Sequence, residues 1–162
     1  RITDNIYQEV EAFLGKVIEA RLSPSQSLAV RGFLRLSKEF EAMADKCRLV
    51  VHKMRDLEKR GFNKEELLLI REAAEEALFD YEMVFSEIAS DGVLDKKSQE
   101  RLEKFNEATF TMEMTFAPFK SFFSRGTNKS QKEGVLEALV GLSQIRLHTQ
   151  NIYQVLQGFK RS

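Results

Sequence analysis

Apolar residues recur every three or four positions along most of this chain, which is the pattern of amphipathic helices. The first such stretch predicts a helix from about Asp4 to Ala20, with apolar positions at Ile6, Val10, Phe13, Leu14, Val17 and Ile18. A longer second helix has its apolar stripe at Phe33, Phe40, Met43, Ala44, Cys47, Val50, Val51, Met54 and Leu57. Each stripe is expected to face a buried core, with the polar residues on the opposite side.

The second helix has strong signals at both ends. Ser23 is the predicted N-cap, Pro24 takes the first helical position, and Gln26 completes a capping box. Arg60 followed by Gly61 supplies a basic last turn and a glycine stop. These signals predict a single helix of more than thirty residues.

A third helix opens where Asn63 precedes Glu66 by three residues, and it ends at the turn formed by residues 90–92, Ser-Asp-Gly. Its apolar stripe is Leu67, Ile70, Ala74, Ala77, Leu78, Tyr81, Val84, Phe85 and Ile88. A fifth helix begins at a second capping box, Ser130 with Glu133. Its stripe is Val135, Leu139, Leu142, Ile145, Ile152 and Leu156.

The fourth helix contains the one ambiguous stretch. It is predicted to start near Asp95 and to reach Arg125-Gly126, with apolar positions at Leu102, Phe105, Met112, Phe116 and Phe119. Residues 109–116 alternate between polar and apolar as a half-buried strand does, and Pro118 follows them. Because no second strand candidate exists to pair with it, we interpret the segment as helix with a kink near Pro118.

Long helices joined by short turns predict an all-α fold, an antiparallel helical bundle of about five helices. The 162 residues are 43% hydrophobic, enough for one core, so residues 1–162 are expected to form a single domain. Lys plus Arg and Asp plus Glu number 25 each, which argues against a nucleic-acid partner. The single cysteine, Cys47, excludes an internal disulfide, and we interpret it as a small core residue.

The most informative chemistry lies on the second helix, where Glu41 and Asp45 are four residues apart and share one face. Their carboxylates could bind one cation, although a metal ion needs further ligands from another helix. The same line continues to Arg48 and His52. The alternative is a solvated flank on which opposite charges pair along the helix, each pair contributing a few tenths of a kcal/mol.

Signatures of catalysis are missing from the sequence. It has no Glu-x-x-His or His-Glu-x-x-His motif, no glycine-rich phosphate loop and no nucleophile elbow. His148 has no acidic residue nearby in sequence, so we expect it to be hydrogen-bonded structurally or to face solvent. These observations predict that the protein is not an enzyme.

Residues 34–45, Leu-Arg-Leu-Ser-Lys-Glu-Phe-Glu-Ala-Met-Ala-Asp, resemble the acidic signature of PhoU-type domains. Residues 6–17 with Leu22-Ser23 resemble the helix that leads into that signature, and residues 62–67 fit the start of the next. The chain is most similar to the PhoU-like domain at the cytoplasmic C-terminus of bacterial sodium/phosphate cotransporter family proteins. The resemblance implies a PhoU-like helical bundle.

Metal binding is also implied by the resemblance, because the acidic motifs of the family can hold iron, zinc or other metal ions. Only Glu41 and Asp45 carry over as ligands for a divalent metal or iron. In the second half of the chain, an alignment of residues 142–152 places Ser143 and Leu147 where the second pair of carboxylates would be. The second acidic site is therefore absent from this sequence.

The implied function is regulatory. A PhoU-like domain of this type would act in phosphate transport and homeostasis at the cytoplasmic side of the cell membrane, through contact with the membrane domain of a phosphate transporter or with another copy of itself. Because the chain begins at Arg1 rather than methionine, we interpret it as a processed chain or a fragment of a longer protein. Three alternatives stay open: a free-standing PhoU regulator, a metal-dependent enzyme or storage bundle using Glu41 and Asp45 with or without His52, and a plain helical scaffold.

Overall fold

A computed structural model describes residues 2–61, 63–89, 96–108, 120, 124 and 129–160. Over these ranges the chain forms five helices and no strand, so the prediction of an all-α helical bundle is confirmed. The helices are α1 (Ile2–Ile18), α2 (Pro24–Arg60), α3 (Lys64–Ala89), α4 (Lys96–Glu107) and α5 (Lys129–Lys160). None of these helices is both long and apolar enough to cross a membrane.

Both ends of α2 are formed as the sequence predicts. The Gln26 amide donates to Ser23 Oγ at 3.3 Å, and the Ser23 amide donates back to Gln26 Oε1 at 2.9 Å. Pro24 is the first helical residue, where its missing N–H costs nothing. At the other end Gly61 adopts a φ of 83°, a value that glycine tolerates better than any other residue.

The predicted cap of α3 is confirmed and has an unusual consequence. The Glu66 amide donates to Asn63 Oδ1 at 2.8 Å, while the Asn63 amide donates to Glu66 Oε2 at 3.1 Å. Glu66 is fully buried, and the cap supplies its carboxylate with a hydrogen bond. The capping box therefore fixes the point where the chain turns from α2 into α3.

The core of the bundle is built around α5. This helix packs along α2 and against α3, while α4 contacts both α3 and α5, and α1 packs mainly on α2. The predicted stripe of α5 is confirmed, because its members from Val135 to Ile152 are buried or nearly so. The most deeply buried core side chains are Val84, Leu102, Val135, Leu139 and Ile152.

Two glycines allow α2 and α5 to approach closely. A Cβ added at Gly141 would lie 2.6 Å from Val50 Cγ2, and one added at Gly134 would lie 2.7 Å from Leu57 Cδ2. The two glycines are seven residues apart, as are the two α2 residues that face them. This matched spacing fixes the register of α2 against α5.

The end of α4 is held by a side chain from α5. The amide nitrogen of Gln150 donates to the carbonyl oxygens of Phe105, Asn106 and Ala108 at 2.7, 2.9 and 2.8 Å. The last carbonyls of a helix lack the usual partner four residues on, and the buried glutamine amide donates to three of them, one of which, Phe105 O, also accepts from the Ala108 amide at 3.3 Å. This contact anchors α4 to the central helix at its C-terminal end.

Some predicted bounds differ from the structure. The first helix runs over Ile2–Ile18 rather than Asp4–Ala20, and the fourth ends at Glu107 within its predicted span. The fifth begins at Lys129, so Ser130 is not the residue that precedes it. Several predictions lie outside the described residues: the turn at 90–92, the start near Asp95, the alternating segment 109–116 with Met112 and Phe116, Pro118, Phe119, the end at 125–126 and the Ile88 side chain.

Part of the predicted core is exposed. The interpretation of Cys47 as a small core residue is wrong, because this cysteine is exposed. Large apolar residues of the predicted α2 and α3 stripes are exposed in the same way, among them Val51 and Leu78. The physical reason is that α2 and α3 both pack on α5 and leave between them an apolar groove, which Cys47 and Leu78 line.

Candidate functional site

The candidate site lies where α1 meets the middle of α2. The helices run antiparallel, so the first turn of α1 carries Asp4 alongside Glu41 and Asp45. One carboxylate oxygen from each of these three residues lies within 4.8 Å of the other two. The predicted pair therefore gains its third carboxylate from another helix, as a cation site requires.

The geometry of this carboxylate triad, defined as Asp4, Glu41 and Asp45, suits a hard cation. Two oxygens bound to one calcium ion at 2.3 to 2.6 Å can be at most about 5.2 Å apart, so the observed separations are compatible with shared coordination. All three residues are half-buried, which leaves a path for an ion from solvent. The ligand set contains oxygen alone, as magnesium, calcium and manganese prefer.

Arg48 lies beside the triad and modifies it. Its Nη2 is 2.6 Å from Asp45 Oδ1, an ion pair between partly exposed side chains one turn apart. This pairing matches the solvated-flank interpretation at one of the three carboxylates. Because the guanidinium already neutralises Asp45, a cation at the triad would compete with it for that carboxylate.

His52, the fourth residue of the predicted line, does not join the triad. Its Nε2 lies 3.5 Å from Asp56 Oδ2, and its side chain is largely exposed. The structure therefore pairs His52 with Asp56 and does not place it with Glu41 and Asp45.

Tyr7, one turn along α1 from Asp4, lies close to the carboxylates of Glu11 and Glu41. Its hydroxyl donates to Glu11 Oε1 at 3.1 Å. Burial raises the pKa of the Tyr7 phenol, and the negative charges of Glu11 and Glu41 raise it further. The phenol therefore stays a neutral hydrogen-bond donor at pH 7, at the edge of a region of negative potential.

His148 is hydrogen-bonded structurally, one of the two outcomes expected for it. Its Nδ1 lies 2.7 Å from Glu39 Oε2, and Asn151 Nδ2 donates to the same oxygen at 3.1 Å. These contacts link α5 to α2 across more than a hundred residues of sequence. The neighbouring Leu147, aligned with a family carboxylate position, is exposed.

An ion-pair cluster between α3 and α5 was not predicted from the sequence. Arg146 Nε donates to Asp80 Oδ2, and its Nη1 donates to Glu76 Oε2, both at 2.6 Å. Burial raises the pKa of the Asp80 carboxyl, while the Arg146 charge acts in the opposite direction. Two sequence signals could have indicated this cluster. Asp80 is an acidic residue among the apolar positions of α3, and Arg146 is a basic residue next to the apolar stripe of α5.

Comparison with protein families, curated proteins and solved structures found no match to this chain. The fold and the site define its class: an all-α helical bundle that carries a half-buried carboxylate triad between its first two helices. The similarity to PhoU-type domains therefore stays a prediction from residues 34–45.

Proposed function

We propose that this chain is a PhoU-like regulatory domain in phosphate transport and homeostasis. It acts by contact on the membrane domain of a sodium/phosphate cotransporter family protein, at the cytoplasmic side of the membrane. Its carboxylate triad binds a hard cation. The single observation that supports this proposal most directly is that the Asp4 carboxylate lies beside those of the predicted pair, Glu41 and Asp45.

The position of the triad suggests how binding and contact are linked. Because α1 packs mainly on α2, Asp4 is a point at which the outermost helix is joined to the bundle. The three carboxylates repel one another, and a bound cation supplies the positive charge that offsets this repulsion. On α1, Ile2 and Phe13 are exposed apolar side chains available to the transporter.

Cation binding is tested by replacing Asp4, because this residue comes from the second helix of the site. We expect the purified chain to bind one Mn²⁺ or Ca²⁺ per molecule in calorimetry, with the affinity reduced about tenfold or more by Asp4→Asn, a loss of about 1.4 kcal/mol. Arg48→Gln should tighten binding, since it removes the competing charge from Asp45.

The matched control is Glu9→Gln, which removes an exposed carboxylate from the same helix outside the triad. Its affinity should equal that of the unmodified chain. Equal binding by the Asp4→Asn and Glu9→Gln variants, or no binding of either ion at millimolar concentration, would contradict the proposed cation site.

The regulatory role is tested in the organism that encodes the protein. Chromosomal replacement of the triad by Asp4→Asn, Glu41→Gln and Asp45→Asn is expected to change the rate of radiolabelled phosphate uptake at fixed external phosphate and equal protein abundance. The Glu9→Gln strain should behave as the parent does.

Two outcomes favour the alternatives. If the gene encodes no membrane-spanning segment, a free-standing PhoU regulator replaces the fused transporter domain. If the triple variant leaves stability, metal content and phosphate uptake unchanged, the acidic residues are solvated surface and the bundle is a scaffold.

A further inference from the structure

An apolar groove runs between α2 and α3, and Leu142 and Ile145 of α5 line its floor. These two helices approach each other through side chains such as Phe40 and Phe85, whose ring centroids are 5.8 Å apart. The groove encloses about 590 Å³ and is walled by Ala44 and Cys47 on α2 and by Ala74 on α3. Its small residues leave room for a side chain from outside the chain.

The apolar stripes on the two walls have identical spacing. On α2 the stripe consists of positions 40, 44, 47 and 51, and on α3 of positions 74, 78, 81 and 85. Steps of four, three and four residues keep each stripe on one helix face, and each extends over about 17 Å. Val51 and Leu78 are 49 and 56% exposed, although such residues are usually buried.

Two neighbouring helices with matching apolar stripes can supply two of the four helices of a four-helix bundle. A helix pair with the same spacing, placed face to face with α2 and α3, would complete it. A second copy of this chain offers such a pair, because a two-fold axis brings the same surface of both copies together.

The charges of the two helices select one arrangement of the copies. From Pro24 to Arg60 α2 has nine basic and five acidic residues, a net charge of +4. From Lys64 to Ala89 α3 has two basic and eight acidic residues, and its net charge is −4 once the buried Glu66 and Asp80 are left out. Packing α2 on α2 and α3 on α3 would bring like charges together. Packing α2 of one copy on α3 of the other brings opposite charges together at both contacts.

We propose that the groove between α2 and α3 is a homodimer interface, in which α2 of each copy packs against α3 of the other in an antiparallel four-helix bundle. The two-fold axis then lies parallel to the helices. Cys47 of one copy and Leu78 of the other lie at the same height along this axis. This inference stands independently of the proposed function, since it uses neither the carboxylate triad nor the transporter.

The first test measures the mass of the chain in solution. Light scattering or sedimentation should give twice the 18.7 kDa of one chain. Leu78→Glu should convert the dimer to a monomer at the same concentration, because it places a charge in the interface. Leu68→Glu is the matched control: Leu68 is 53% exposed on the same helix but outside the stripe, and this variant should stay dimeric. Far-ultraviolet circular dichroism checks that both variants fold.

The second test determines which helices face each other. Under mild oxidation Leu78→Cys should give a covalent dimer on a non-reducing gel, and adding Cys47→Ser should abolish it, because the expected bond joins position 78 to Cys47 of the other copy. A disulfide dimer of the unmodified chain through Cys47 alone, or a covalent dimer that survives Cys47→Ser, indicates like-helix packing and overturns the proposal. A monomer at all concentrations overturns it as well.

Discussion

Gly141→Val is expected to lower the free energy of unfolding by about 1–3 kcal/mol, the usual effect of overpacking a core. The new Cβ would lie 2.6 Å from Val50 Cγ2 and 4.0 Å from the Lys46 carbonyl oxygen. Val50 cannot rotate away easily, because a β-branched side chain has one strongly preferred rotamer in a helix. The strain therefore falls on the contact between α2 and α5, and urea denaturation followed by circular dichroism at 222 nm measures it.

The control for this prediction is Gly158→Val on the same helix, where an added Cβ meets nothing within 4 Å. Valine and glycine differ by only a few tenths of a kcal/mol in helix propensity, so this variant should unfold near the parent midpoint. Adding Val50→Ala to Gly141→Val should recover about 0.5 kcal/mol or more as a coupling energy. Equal midpoints for the two glycine variants would show that α2 and α5 are less closely packed than the structure indicates.

Gln150→Leu should be the second most damaging substitution, with a loss of about 1–3 kcal/mol, because it removes a buried amide donor shared by three carbonyl oxygens at the end of α4. Leucine keeps the approximate volume of the side chain but cannot donate to Phe105, Asn106 and Ala108. We expect hydrogen exchange to accelerate first in α4, because this helix loses the contact that satisfies its end.

Gln154→Leu provides the comparison, since Gln154 lies one turn further along α5 and is exposed. It should leave both the unfolding midpoint and the exchange of α4 unchanged. If Gln150→Leu changed neither quantity, water would be replacing the glutamine amide. The C-terminal end of α4 would then not need hydrogen bonds from α5 for its stability.

The helices that the sequence predicts best are those whose signals are local. The caps at Ser23 and Asn63 each depend on two residues three positions apart, and both form as expected. The stripe of α5 is buried as predicted because this helix has neighbours on several sides. Hydrophobic spacing predicted the apolar faces at Val51 and Leu78 equally well, but it identifies a face without showing whether the same chain covers it.

The candidate site shows the same division between local and distant information. Glu41 and Asp45 were identifiable because residues four apart share a helix face. Asp4 was not, because its position depends on the register with which α1 packs on α2. The Arg146 pair with Asp80 likewise joins residues that are 66 positions apart in sequence. Distant pairs of this kind follow from packing, which no local pattern specifies.

The central position of α5 has a consequence for biosynthesis. The ribosome releases α2 and α3 well before residues 129–160, yet both helices find their main packing partner in that last stretch. Until it emerges, their apolar stripes have no core to enter, and the nascent chain presents them to solvent and to chaperones. The bundle can therefore complete its core only after residues 129–160 have left the ribosome, although α2 and α3 are made before them.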